Sequence, residues 1–556
     1  MIDDKAVFEV FSKLVRKYKK IFLTVLKYLF STIVTILSFV TTGDIYFVLV
    51  SLCELTLIFW LSNILVSKNK WIGYLVNNIL ILLFNIEILV LCFGNSFVTL
   101  TMVMNITSWE ALKGRSDVFL LGIFLLLFFS FLPIRYVSLR KIFSQRIPKF
   151  TFFINILLVF AALTPIYFIS QQEFYEPLGG VYSLAKNGID YIKILDKTHL
   201  QLDESQQQLS EKFFNKEISD FVKKPDNLPE HPNVILLFTE GLSQHIINDE
   251  RNVMPNLYRI QQEALQFDNY YNHTFATYKG LIGQLYSGYQ LDNSDSNYLE
   301  SVQSILKMED YKTSFLNTEP KNKEFTEYLK NFQFDNFKQG QLTENKDILS
   351  DEDAYNQLFQ LLSEQSDSSP FLITMYTFGT HVGMDSFDRN YGDGSNHVLN
   401  RFFDLDNQFG RFIEKFKESE WSNNTIIIFT TDHATYVDDE YKQAFPDFSR
   451  SLGHVDKIPL FFYYKGIEPQ KIDVAGRNSI NLAPTILDYI DVSQPNHFLG
   501  RSLFSQADDS NVFETTFISG VDYYSTLNGN ITTFSEQQLS DLETRVVDYY
   551  SASRYP

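Results

Sequence analysis

Five long apolar runs lie in the first third of this chain, at about 21–41, 45–66, 73–94, 118–134 and 151–169, and no run of that length follows them. A helix needs about 20 apolar residues to cross about 30 Å of hydrocarbon, so each run predicts a membrane span. The fourth, VFLLGIFLLLFFSFLPI, is short but unbroken. The chain is therefore expected to divide into a multi-pass α-helical membrane domain over 1–170 and a large polar domain beyond it. The third run carries Asn77, Asn78, Asn85 and Glu87. Lipid satisfies none of these groups, so they should face other helices or a wet cavity, as glue between helices or as the lining of a headgroup or acceptor pocket.

Basic residues set the expected orientation. Lys13, Arg16, Lys17, Lys19 and Lys20 precede the first run, Lys68 and Lys70 separate the second from the third, and Arg135, Arg140, Lys141, Arg146 and Lys149 separate the fourth from the fifth. The loop TTGD carries none, and the long loop after the third run carries only Lys113 and Arg115. With five spans, every basic loop falls on one side. The N-terminus is then cytoplasmic and everything after Ile169 lies outside the cell. The first run is too long for a cleaved signal peptide and leads straight into another span.

Residues 171–231 read as a connector, with LDESQQQLSEKFFNKEISDFVKK as an amphipathic helix and PDNLPEHPN as a Pro-rich break. A plain stalk and a helix lying along the membrane both fit that pattern. The net charge of −19 comes mostly from the polar part and excludes a nucleic-acid partner, which would need a basic face. Both cysteines, Cys53 and Cys92, sit in apolar runs, so the polar part holds neither a disulfide nor a Cys-based zinc site.

From residue 232 onward, apolar strand-like runs alternate with helical patterns. The strands are NVILLFT (233–239), KTSFLNT (312–318), PFLITMYTF (370–378), TIIIFTT (425–431) and IPLFFYY (458–464), with helices such as 351–365 and 398–418 between them. Continuous apolar strands separated by helices predict an α/β domain with a mainly parallel sheet covered on both faces. Ligands gather at the carboxyl ends of such strands. Three of these strands end on chemistry. Glu240 follows the first, Gly379-Thr380-His381 follows the third, and Asp432 and His433 follow the fourth. Any one of them alone reads as a turn or a cap. Together they read as a site of carboxylates and imidazoles suited to Mn2+ or Zn2+. A nucleophile is available in NHTFATYKGLIGQLYSGY (272–289), where Thr277 precedes a short helix whose positive dipole end favours an alkoxide. Thr274 is the rival hydroxyl, and a plain N-cap is the bland role for Thr277.

The order strand–Glu, Thr before a helix, strand–x–x–His and strand–Asp–His, closed by GHVDKIPLFFYY and NLAPTILDYI, resembles the alkaline-phosphatase-like sulfatase superfamily. Combined with the N-terminal spans, it resembles the lipoteichoic acid synthases, their phosphoglycerol transferase relatives and the lipid A phosphoethanolamine transferases. The resemblance implies that Glu240, Thr277, Asp432 and His433 hold one divalent metal, with Thr277 as nucleophile. His381 would hold substrate phosphate or act as general acid, and His454 matches a second substrate-phosphate histidine. NFQFDNF (331–337) resembles the aromatic segment before the family's substrate loop. No C/S-x-P-x-R motif is present, which argues against sulfate-ester hydrolysis through formylglycine. Gly241 stands where the lipoteichoic acid synthases usually have Ser. The cysteine-free outer domain points to the phosphoglycerol branch.

The implied function is transfer of a phosphoglycerol or phosphoethanolamine headgroup from a membrane phospholipid donor, through a phospho-Thr intermediate, to an envelope glycan or glycolipid acceptor. The implied location is a bacterial plasma membrane. Two alternatives share these residues: a membrane-anchored phosphodiesterase or hydrolase, and a metal-free partner in envelope assembly.

Overall fold

The computed structural model describes residues 4–42, 45–94, 98, 116–135, five positions between 180 and 189, 205–291, 299–343, 346–365, 369–506, 511–520 and 522–553. The chain forms two compact units, Met1–Ile192 and Lys193–Pro556.

Among the described residues of the first unit, three helices are long and apolar enough to cross a membrane: Lys19–Phe39, Phe47–Lys68 and Lys70–Cys92. The fourth expected span is a shorter apolar helix, Ser116–Ser130. It ends there rather than at 134, because Pro133 disfavours helical backbone in the residue before it. The fifth expected span, 151–169, lies outside the described residues. Lys27, Ser31, Thr35 and Ser38 form a buried polar stripe at helical spacing on the first helix. Ser31 donates to Asn85 Oδ1 at 2.8 Å, Asn85 donates to Ser130 at 3.0 Å, and Lys27 Nζ donates to Asn78 Oδ1 at 2.8 Å. The asparagines of the third helix thus tie helices together, as polar groups inside a bilayer must.

The second unit is built on an eight-stranded sheet. Its strands are β1 (Asn233–Thr239), β2 (Leu265–Asp268), β3 (Lys312–Asn317), β4 (Asn336–Gln339), β5 (Phe371–Thr377), β6 (Thr425–Thr431), β7 (Phe461–Tyr463) and β8 (Gln470–Asp473). They lie in the order β4-β3-β5-β1-β6-β7-β2-β8. Neighbours run parallel except that β7 is antiparallel to both β6 and β2. Strands β1, β5 and β6 are buried along their whole length. Alternate side chains of β1 feed two separate cores: Val234, Leu236 and Phe238 enter one, and Ile235 and Leu237 the other. This is why the sequence shows unbroken apolar runs there instead of alternation. β2, β4 and β8 have only four residues each and were not legible as strands, since β4 and β8 are largely exposed.

A three-stranded antiparallel sheet follows, made of β9 (Thr516–Ser519), β10 (Asp522–Ser525) and β11 (Thr532–Thr533). The connector differs from expectation. Among the described residues its helix covers Ser205–Phe213. Beyond it the chain becomes a strap with backbone groups bonded to the rest of the domain. Asn215 bridges to Asn496, and the Phe221 N–H donates to Asp488 Oδ1 at 3.0 Å.

Candidate metal and nucleophile site

Register places the chemistry. Thr239 of β1 pairs with Thr377 of β5 on one side and with Thr431 of β6 on the other, so the three central strands end level. The residues that follow them emerge on one carboxyl edge. The Asp432 N–H bonds Thr239 O at 3.2 Å, and the Glu240 N–H bonds Thr377 O at 3.0 Å. Glu240 is followed by Gly241, whose φ of +43° turns the chain sharply in a region that favours glycine. That turn aims the Gly241 N–H at Asp432 Oδ1, 2.8 Å away. Asp432 Oδ1 also accepts from the His433 N–H at 2.7 Å. One oxygen of Asp432 is therefore fixed by backbone. The other, Oδ2, is buried and among the described residues accepts no hydrogen bond.

Glu240, Asp432 and His433 each offer one ligand atom, and these atoms lie within 4.8 Å of one another, all three residues being buried. His433 Nδ1 lies 2.8 Å from Ala434 O, so it carries a proton and donates. Nε2 then points at Glu240 Oε1, 3.4 Å away, and at Asp432 Oδ2, 3.3 Å away. Two buried carboxylates and an imidazole nitrogen converging on one point need a positive charge between them, and an unbonded Asp432 oxygen is part of that arrangement. The set fits a divalent cation of the Mn2+ or Zn2+ type. The electrostatics agree. Burial, and then the charge of Glu240, push Asp432 up to about 7. Burial works against the charged form of His433, but Asp432 and Glu240 override it and raise this group above the ordinary histidine value.

Thr277 opens the helix Thr277–Tyr286, and its hydroxyl donates to Glu240 Oε2 at 3.2 Å. The rival Thr274 is buried, and among the described residues its side chain makes no bond to Glu240. The helix reaches the sheet edge because Gly280 and Gly283 lack side chains. A Cβ on Gly280 would sit 2.3 Å from Asp432 O, and one on Gly283 would sit 2.1 Å from His273 Nε2. Gln284 seals the contact by donating to Thr431 O at 2.9 Å. We expect Gly280→Ala to lower stability by about 1–3 kcal/mol despite alanine's better helix propensity, because the group it meets is backbone that cannot turn aside. Urea unfolding of the full chain with and without added Mn2+ checks this, and the variant should also bind the cation more weakly.

His381 and His454 flank this cluster. The His381 ring stacks on Phe378, with centroids 4.5 Å apart at 14°, and Nδ1 lies 2.8 Å from Val382 O, which leaves Nε2 free of that bond. When protonated it helps hold Glu240 low, after the opposing effect of burial and the contribution of His433, while burial pulls His381 itself below the ordinary histidine value. His454 stacks on Phe275 at 4.0 Å, and Phe275 in turn lies 4.6 Å from the His433 ring. Burial, and then Arg450 and His433, push His454 down to about 3, so it is a neutral imidazole at physiological pH. The aromatic segment 331–337 serves the core: Phe332 is fully buried and stacks on Tyr278, the residue after Thr277.

Two contributors were not found from the sequence. The Tyr376 hydroxyl donates to Glu240 Oε2, and the Thr380 hydroxyl donates to the Glu240 carbonyl. A tyrosine inside an apolar strand reads as core, and only its place five residues before His381 could have drawn notice. Asp351 supports the His381 turn from below. It accepts a bond from the Gly379 backbone, and a Cβ on Gly379 would meet Asp351 Oδ2 at 2.3 Å. Burial, and then Asp404 and Asp388, push the Asp351 carboxyl up to about 8 from 3.8. The folded chain therefore keeps a proton that the unfolded chain has lost between those values, and stability should fall as pH rises through that window. Asp351→Asn should remove this loss. Its melting temperature should gain on wild type steadily from pH 5 to pH 8, as differential scanning calorimetry would show.

Residues 232–492 match the sulfatase family. Phosphoglycerol transferase I from Citrobacter koseri is 33% identical over 105 residues, which is 18% of this chain and 12% of that relative. The matched stretch is thus a small part of the curated relative's length. Among solved structures, an alkaline-phosphatase-superfamily protein from Vibrio parahaemolyticus aligns at 20% identity and TM-score 0.48, covering 65% of this chain and 95% of that one. The lipoteichoic acid synthase LtaP from Listeria monocytogenes aligns at 17% identity and TM-score 0.46, with the same 65% and 95% coverage.

Proposed function

From a chain that carries a sulfatase-family domain at residues 232–492, we infer a membrane-anchored, metal-dependent phosphotransferase. It moves a phosphoglycerol headgroup, or phosphoethanolamine, from a phospholipid through a phospho-Thr277 intermediate to an envelope glycan or glycolipid. One observation carries this reading: the Thr277 hydroxyl, at a helix N-terminus, is hydrogen-bonded to Glu240 inside the same cluster as Asp432 and His433. The phosphoglycerol branch is favoured by the name of the curated relative and by the absence of cysteine after residue 92.

Glu240, Asp432 and His433 would hold the cation, with Thr277 beside it. When bound, it neutralises phosphoryl charge and makes the threonine hydroxyl more acidic. Thr277 Oγ1 attacks phosphorus and passes its proton toward Glu240 Oε2, which already accepts that hydroxyl's bond. The helix N-terminus favours the developing negative oxygen. The bond from phosphorus to the diacylglycerol oxygen breaks. His381, half-buried at the end of β5, holds a phosphoryl oxygen or supplies the proton that the leaving oxygen takes up. His454, neutral and stacked on Phe275, serves as a second phosphate contact. An acceptor hydroxyl then attacks the same phosphorus and gives its proton to His381, the bond from phosphorus to Thr277 Oγ1 breaks, and Thr277 recovers its proton from Glu240. The N-terminal helices keep the enzyme in the membrane that supplies its donor, which raises the effective donor concentration. With its N-terminus cytoplasmic, the catalytic domain works outside the cell.

The test is incubation of the detergent-solubilised full chain, with Mn2+ or Zn2+, with phosphatidylglycerol or phosphatidylethanolamine labelled in the headgroup. Transfer releases diacylglycerol and moves label onto an added glycan or glycolipid. Release of free glycerol phosphate alone would make the chain a phosphodiesterase. No diacylglycerol from either lipid would contradict the reading.

A further inference from the structure

We propose that Tyr376 is a positioning residue that holds Glu240 in place through the stage at which Thr277 can no longer do so. The inference rests on the phosphotransfer reading and adds a residue to it.

The two oxygens of Glu240 have different neighbours. Oε1 faces His433 Nε2 at 3.4 Å. Oε2 accepts two hydroxyls, Thr277 at 3.2 Å and Tyr376. A nucleophile cannot keep donating to that oxygen. Once Thr277 Oγ1 has lost its proton and bonded phosphorus, its bond to Glu240 is gone, and Tyr376 is left as the hydroxyl on Oε2. A Glu240 carboxyl that has lost the Thr277 contact is freer to rotate, and rotation would spoil the ligand geometry. Tyr376 prevents that rotation, because its own placement does not change during the reaction. It lies within β5, paired with Phe238 of β1, and is buried in the core cluster beneath Glu240. Its ring meets Phe325 edge-on at 5.8 Å, and its backbone carbonyl is held by the Thr318 hydroxyl at 2.7 Å. A tyrosine whose ring is packed into the core and whose hydroxyl ends on a ligand carboxylate does more than fill volume. Phenylalanine would fill the same space.

Tyr376→Phe keeps the packing and removes only the donor. In the solubilised full chain, Mn2+ affinity measured by titration calorimetry should drop about 10- to 100-fold, the usual cost of losing an outer hydrogen bond to a metal ligand. At saturating Mn2+, kcat for diacylglycerol release should fall while KM for the lipid holds, because the deficit appears in the transition state, as Thr277 Oγ1 gives up its proton and bonds phosphorus. The melting temperature of the metal-free protein should stay close to wild type. In a double-mutant cycle with Thr277→Val, the two losses in Mn2+ affinity should be non-additive, since both hydroxyls serve one oxygen. If the phenylalanine variant does not fold, Tyr376→Leu takes its place. Wild-type Mn2+ affinity and kcat in the variant would overturn the assignment and leave the transfer reading standing. A wild-type chain that binds neither Mn2+ nor Zn2+ would overturn both.

Discussion

Thr277→Ala should abolish headgroup release, with a loss of at least about a thousandfold, the scale seen when a nucleophile is removed from a working site. The fold should survive. The side chain is only half-buried and among the described residues makes one hydrogen bond, to Glu240, so the stability cost is about 1 kcal/mol. Metal binding should weaken less than catalysis does, because Glu240, Asp432 and His433 remain. Thr277→Ser restores a hydroxyl at the same helix terminus and should recover part of the rate. Thr274→Val is the control: its neighbour hydroxyl lies in the same segment without reaching Glu240, and that variant should stay active. Diacylglycerol release from labelled lipid reads all three. Full activity in the alanine variant would move the nucleophile elsewhere.

Asp432→Asn should separate stability from metal binding and move them in opposite directions. Asparagine keeps Oδ1, which accepts the Gly241 and His433 backbone N–H groups. It replaces the buried, unbonded Oδ2 with a donor facing His433 and Glu240. Without metal, the wild-type carboxyl is held near 7 by burial and by Glu240, well above its ordinary 3.8. The sign follows from linkage: a raised carboxyl costs the folded state stability as pH rises through that interval, and asparagine has no proton to lose. The metal-free variant should therefore melt at a higher temperature than the metal-free wild type at pH 7.5. Adding Mn2+ should reverse the order. Wild type gains about 2.7 kcal/mol at a hundred times its dissociation constant, whereas the variant, with affinity down by more than about a hundredfold, gains little. Thermal melts of both proteins with and without Mn2+ give the four values needed. A wild type indifferent to Mn2+ and Zn2+ would remove the cation from the account.

How far the sequence could be read depended on whether an element announces itself locally. Glu240, Asp432, His433 and His381 were legible because each ends a long apolar strand, and parallel strands bring such ends to one edge. Thr277 was legible from its helix, and the register of Thr239 with Thr377 and Thr431 then fixed which residues meet. Tyr376 was hidden because its strand is apolar and a tyrosine there looks like packing. Asp351 was hidden because a carboxylate at a helix start is ordinary, and only the tertiary contact with Gly379 and the nearby Asp404 and Asp388 make it unusual. The connector was over-read: an amphipathic pattern continued past Phe213, but hydrogen bonds to residues 488–496 outcompeted the helix. The short strands β4 and β8 lacked any apolar run to announce them.

In the proposed reaction, Thr277 carries the transferred group beside a cation held by Glu240, Asp432 and His433. Peptide mass spectrometry tests it most directly. The full chain is incubated with Mn2+ and native lipids, quenched in acid and digested. The peptide bearing Thr277 should carry the added mass of a glycerophosphoryl or phosphoethanolamine group in wild type, and that mass should be missing from Thr277→Ala and from metal-depleted protein. An unmodified Thr277 in a preparation that is turning over lipid, or the same adduct on another residue, would contradict it.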